Sequence, residues 1–133
     1  DTLYGVYCGG GRPGSRCVRK GDWKLTKYEV GKTGVQHTQL FNLKENPHEF
    51  MKEHHDPALK TLTGAKPKAE QINLASSQKY AAKLKEMEAV LLEEMRRHDD
   101  PYRFWNQPDD GLPVPIIRER NKNKKPKKPR KNK

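Results

Sequence analysis

Long apolar runs are missing from this sequence. No stretch of its 133 residues approaches the roughly 18 to 20 that a membrane-spanning helix requires, so no membrane helix is expected. Apolar side chains are scarce as well, at 32% against 34% charged, and a chain this short buries a small share of its surface in any case. One modest domain is the most that the length supports, with part of the chain left outside it. Cysteine is nearly absent. Cys8 and Cys17 are too few to define a redox compartment, and two arrangements stay open: a bridge across a hairpin, or two small buried thiols. No signal peptide opens the chain, because Asp1 and Thr2 lead straight into a strand-like run, as expected of a mature or truncated start.

Acidic residues are the minority, and the formal charge is +11. Its distribution matters more than its size. Residues 118–133 hold ten Lys/Arg and one Glu, or +9, which leaves the rest of the chain at +2. No aromatic is interleaved in that stretch, so base stacking has no platform. Nonspecific attraction to polyanions, sulfated polysaccharide included, is what such a run offers. With its repeated Lys, Asn and Pro, it reads as a low-complexity disordered tail.

What is present is a run of short strands. Leu3 to Cys8 is aromatic and β-branched, and Gly9-Gly10-Gly11-Arg12-Pro13-Gly14 then breaks regular structure. Ser15 to Lys20 predicts a second strand, with Arg16 and Val18 on one face and Cys17 and Arg19 on the other. Gly21-Asp22 is a two-residue turn signal. Trp23 to Val30 follows, with Trp23, Leu25 and Lys27 alternating, and Val35 to Leu43 supplies a fourth strand. Short connections of this kind imply an antiparallel meander. Pro47 suits the start of a helical turn over His48 to Lys52, and His54 to Gln71 reads as a polar loop with one short helix.

One strong helix follows, capped by Ser76 or Ser77 and running to about His98. Tyr80, Leu84, Met87, Leu91 and Met95 form its apolar stripe, with Lys83, Lys85, Glu86, Glu93, Glu94 and Arg97 outside it. The stripe needs a partner, and one face of the meander is large enough. The expected fold is α+β: about four antiparallel strands packed against one long C-terminal helix, with the domain over 1–110 and the Pro/Lys-rich tail over 111–133. Asp99-Asp100-Pro101 stops the helix. Tyr102, Phe104 and Trp105 are expected to close the edge of the core rather than to bind a ligand.

Two segments, Arg16-Cys17-Val18-Arg19-Lys20-Gly21-Asp22-Trp23-Lys24-Leu25 and Gln39-Leu40-Phe41-Asn42-Leu43-Lys44-Glu45-Asn46-Pro47-His48-Glu49, resemble the end of type I sulfatases. In that family a strand of the form R-x-V-R-x-G-x-W/Y-K-L is followed by x-L-Y/F-D-L-x-x-D-P-x-E. An N-L-A then opens the terminal helix, and Asn73-Leu74-Ala75 stands in that place. The resemblance covers about residues 3 to 110. Asn42 and Asn46 replace the family's aspartates, and about twenty extra residues separate Glu49 from Asn73. Carboxylates at such turns accept local hydrogen bonds that asparagine can accept too.

The resemblance implies the C-terminal subdomain or a fragment of a sulfuric-ester hydrolase acting on sulfated carbohydrate, its partners being a sulfatase catalytic domain and that substrate. Enzymes of this family are commonly periplasmic, secreted or lysosomal. They use calcium and a formylglycine made from the cysteine of C-x-P/A-x-R. Cys8-Gly9-Gly10-Gly11-Arg12 keeps the spacing but puts Gly10 at the Pro/Ala position, and only seven residues precede Cys8 where paired aspartates are needed. No catalytic residue, metal ligand or cofactor is therefore assigned to this chain, which is expected to be inactive alone. Arg12 and Arg16 are the substrate-contact candidates, since glycine-rich backbone lets amides approach an anion and arginine pairs with sulfate or carboxylate. An ordinary hairpin loop with solvated arginines is the competing reading. His48, His54, His55 and Asp56 read as surface groups, because adjacent histidines point apart and a polar loop preorganises nothing. Asp109-Asp110 read as loop carboxylates. The reading from another class is a free-standing, non-enzymatic module that binds polyanions through its tail.

Overall fold

The computed structural model describes residues 1–7, 14–30, 35–51, 61–64, 66–109 and 111. Contacts divide the chain into two compact units, Asp1–Asp100 and Pro101–Lys133. The first is an α+β unit with a four-stranded antiparallel sheet, β1 (Thr2–Tyr7), β2 (Ser15–Lys20), β3 (Trp23–Val30) and β4 (Val35–Asn42), in the order β1-β2-β3-β4. Helix α1 (Ala81–Arg97) follows two 3-10 turns, Leu74–Ser76 and Gln78–Tyr80.

Register explains which side chains meet the helix. Opposite residues of an antiparallel pair share a face, so the sheet is built of rungs. Tyr4, Val18, Leu25 and Leu40 form one, and Val6, Arg16, Lys27 and Thr38 form the next on the same face. Val18, Leu25 and Leu40 are fully buried there with Met87, Leu91 and Met95 of α1. Trp23 lies one rung further along, half-buried, its ring 5.8 Å from that of Tyr80. The β2–β3 turn is the expected Gly21-Asp22, with Gly21 at φ +57°, a left-handed conformation that glycine adopts without steric cost.

The opposite face has a cover of its own near β3 and β4. Phe41 is buried on that side, and so are Phe50 and Met51. Lys24 Nζ binds both Glu49 oxygens at 2.7 Å, and Gln39 Nε2 lies 3.8 Å from Met51 Sδ. Asn46 holds this segment in place. Its Oδ1 accepts the Phe50 N–H at 3.0 Å and its Nδ2 donates to the Phe50 carbonyl at 2.8 Å. An ionised aspartate could accept the first bond but not donate the second. Residues 48–51 are therefore not the helical turn that Pro47 suggested. Turn geometry ends at His48, and Glu49 sits at φ 54°.

The helix start also departs from expectation. Ser77 makes no side-chain cap bond, and the α-helix begins only at Ala81, with Tyr80 before it. The side chain that caps is Asn73, whose Oδ1 accepts the Ala75 N–H at 3.0 Å. The same carboxamide ties the turn to the sheet, accepting from Leu40 N at 3.0 Å and donating to the Thr38 carbonyl at 2.8 Å. A serine hydroxyl one turn later is too short to reach β4 and the helix start together.

In the second unit, Phe104 meets Tyr102 and Trp105 edge-on at centroid distances of 5.0 and 5.6 Å, the offset geometry that ring quadrupoles favour. Asp109 Oδ1 accepts the Gly111 N–H at 3.0 Å. The expected tail over 111–133 lies, but for Gly111, outside the described residues.

Candidate functional site: the buried ion pairs of the sheet

β2 delivers Arg16 to the helix side of the sheet, on the same face as Val18, and the end of α1 delivers its partner. His98 closes the helix and Asp99 turns left-handed at φ 50°. Asp99 N then bonds to Arg96 O at 3.2 Å and Asp100 N to Met95 O at 2.9 Å, the paired bonds of a Schellman end. The reversal points Asp100 back at the sheet. Its carboxylate takes the Arg16 guanidinium in a fork, Nε to Oδ2 at 2.8 Å and Nη2 to Oδ1 at 3.0 Å, and Tyr4 Oη donates to Oδ2 as well. Both charged side chains are only 6% exposed. The Tyr4 ring stacks on His98 at 5.4 Å. Burial first, and then the hydrogen bond to Asp100, push the Tyr4 phenol well above its ordinary value of 10.

Lys27, one strand over on the same rung, is 2% exposed and bonds Glu88 of α1. Two cations opposite each other on neighbouring strands repel, and here each has its own carboxylate. Among the described residues no buried side-chain nitrogen or oxygen lacks a hydrogen-bond partner. Glu94, assigned to the outer face of the helix, is instead 8% exposed, with Arg97 at 3.4 Å and His98 at 3.6 Å. Hydrophobic periodicity missed it because a carboxylate enters the buried stripe only when a partner such as Arg97 reaches it.

Of the two substrate-contact candidates, Arg12 lies outside the described residues, and Arg16 is bound by Asp100. An anion would reach Arg16 only by displacing that carboxylate. Sequence reasoning missed Tyr4, Lys27, Glu88 and Asp100 as a set, and the lone available signal was that Arg16 and Lys27 fall in phase with Val18 and Leu25.

Cys17 is a free thiol on the face away from the helix, opposite Gly5, and Cys8 lies outside the described residues. A Cβ on Gly5 would come within 2.8 Å of Cys17 Sγ, so the glycine makes room for the sulfur. His48 is exposed, with its ring 5.2 Å from that of Phe50, and His54, His55 and Asp56 lie outside the described residues. Among the described residues no three His, Cys, Asp or Glu side chains gather where a metal ion could be held, and no helix is long and apolar enough to cross a membrane. A cavity of about 80 Å³ opens between Phe41, Asn46, Gln71 and Leu74, well below the roughly 300 Å³ at which small-molecule pockets begin.

Comparison with models of known protein families, with curated proteins and with solved structures finds no match.

Proposed function

We propose that this chain is the carboxy-terminal subdomain of a type I sulfatase, a sulfuric-ester hydrolase acting on sulfated carbohydrate, and that in the intact enzyme it packs against the catalytic domain and shapes access to it. What supports the reading is that the three motif segments hold one another. Lys24 of the first binds Glu49 of the second at 2.7 Å, and Asn73 of the third binds the backbone of Thr38 and Leu40. These contacts give a physical reason for motifs so far apart in sequence to occur together in one fold.

The hydrolytic chemistry then belongs to the rest of the enzyme, where calcium and formylglycine act. Substrate contact from this subdomain falls to Arg12, since Arg16 is committed to Asp100. The test is the reading frame upstream. It should encode C-x-P-S-R and paired aspartates, and the contiguous protein, expressed with calcium and a formylglycine-generating enzyme, should hydrolyse an aryl sulfate. The 133-residue chain should not exceed its Cys8→Ala control. An upstream frame without those residues, or turnover by this chain alone, overturns the reading.

The +9 carried by residues 118–133 favours a second reading, a free-standing module that recruits polyanions. Removing Arg118 to Lys133 should abolish heparin binding and leave the melting temperature unchanged. Binding by the full chain should weaken steeply with salt as Lys/Arg release counterions. Affinity that survives the truncation rules out the tail as its source.

A further inference from the structure

The two edges of the sheet are finished differently. On the β4 side, the Asn73 carboxamide donates to Thr38 O and accepts from Leu40 N, occupying the backbone of the edge as a neighbouring strand would. On the β1 side, no strand lies outside Thr2–Tyr7 among the described residues. Natural edge strands are normally blunted by lysine, proline, a bulge or a covering segment. β1 reads Thr-Leu-Tyr-Gly-Val-Tyr, without charge or proline, and it registers with β2 over six consecutive pairs without a bulge. Leu3 is 64% exposed, Val6 50% and Tyr7 70%. The strand is also held firmly, since Tyr4 bonds Asp100 and stacks on His98, so presenting its edge requires little further ordering.

We propose that β1 is a self-association edge. Two copies pair β1 with β1 antiparallel about a two-fold axis perpendicular to the sheet, which makes one eight-stranded sheet from two sheets of four. A second copy is the occupant that the strand's own chemistry favours. A two-fold axis sets a strand against itself, and the six uncharged residues of β1 bring no like charges to that seam. Like faces stay on the same side in such a pair, so Leu3 and Tyr7 of each copy become cross-strand neighbours on the open face. The seam is short, and a six-residue edge falls below the roughly 1,200 Å² of a standard interface. The dimer is therefore reversible. Two chains of charge +11 also repel each other at long range, so association tightens as salt screens them, by about tenfold between low and high ionic strength.

Sedimentation of the full chain over a concentration series, at about 50 and about 500 mM salt, tests this. The mass should rise from 15.4 kDa towards twice that value, and at lower protein concentration in high salt. Leu3→Lys with Val6→Lys, both at exposed positions, should keep the chain monomeric with an unchanged circular-dichroism spectrum. If that variant loses its fold, hydrogen exchange on the natural chain decides, because amides of Thr2–Tyr7 should gain protection with concentration while those at the β4 edge do not. A monomer throughout, association that persists in the lysine variant, or growth past the dimer overturns the proposal.

Discussion

Two neighbouring rungs of the sheet bury their side chains against the same helix by opposite means. Val18, Leu25 and Leu40 on one rung are fully buried and apolar. Two residues further along each strand, Arg16 and Lys27 are almost as buried and carry full charges. Removing apolar surface from water stabilises the first rung at about 25 cal/mol per Å². The second must offset the desolvation of two cations, and it does so with one carboxylate for each, Asp100 and Glu88. An apolar rung tolerates many partners. A charged one needs both acids in place, so breaking either pair is expected to cost more than replacing it with apolar side chains.

The largest effect should come from putting an unpaired charge into the apolar rung's cover. Leu91 is 1% exposed, and Leu91→Asp should cost more than about 3 kcal/mol and leave the chain without a cooperative thermal transition. Asp100→Ala comes next, because it removes the carboxylate that forks the buried Arg16 guanidinium. A loss of about 3 kcal/mol is expected from chemical denaturation, and a loss under 1 kcal/mol would show that Arg16 finds water instead.

Replacing a whole pair is a different matter from breaking it. Lys27→Met with Glu88→Leu should be neutral or stabilising by about 1 kcal/mol, while Glu88→Ala alone should destabilise. Equal losses in both would mean that the pair adds net stability and does not merely offset its own burial.

The alkaline limb distinguishes the charged rung in another way. The Tyr4 phenol is raised in the folded state, so the protonated form is the one that folding favours. Its contribution is complete below pH 10, the ordinary tyrosine value, and is lost as the pH climbs beyond it. Absorbance titration should show a tyrosine ionising late, above pH 10, and Tyr4→Phe should remove that late phase. The smallest effect belongs to the solvent side of the helix. Glu86 is exposed and bonded by Lys83 at 2.5 Å, which holds its carboxyl below the usual range, and Glu86→Ala should leave the melting temperature within error.

The apolar rung was legible in the sequence and the charged one was not. Alternation in Arg16-Cys17-Val18 and in Trp23-Lys24-Leu25 assigns faces, and the four-three-four-four spacing from Tyr80 to Met95 marks the stripe on the helix. Both signals depend on side chains that prefer burial unaided. Arg16 and Lys27 are buried because of acids 84 and 61 residues away, and no local pattern encodes a partner at that distance. Asp99-Asp100 could be read as a helix stop, but the left-handed turn that aims Asp100 at the sheet depends on how the last turn docks. The cover formed by Asn46, Phe50 and Met51 was hidden for a related reason. Pro47 fits a helix start on local grounds, and the Asn46 bonds to Phe50 hold the backbone elsewhere.

The Asn73 clamp has a consequence for how such chains can lengthen. Gln71 Nε2 donates to Asn46 Oδ1 at 3.2 Å, and two residues later Asn73 is fixed to β4. The segment between the end of the sheet and the start of the helix thus leaves and returns at one place, with both ends fastened. Closing a longer loop between fastened ends costs only about 0.6 kcal/mol for each doubling of its length. The extra twenty or so residues between Glu49 and Asn73 could therefore have accumulated without strain on sheet or helix. The same place should accept a grafted peptide or a tag with little loss of stability.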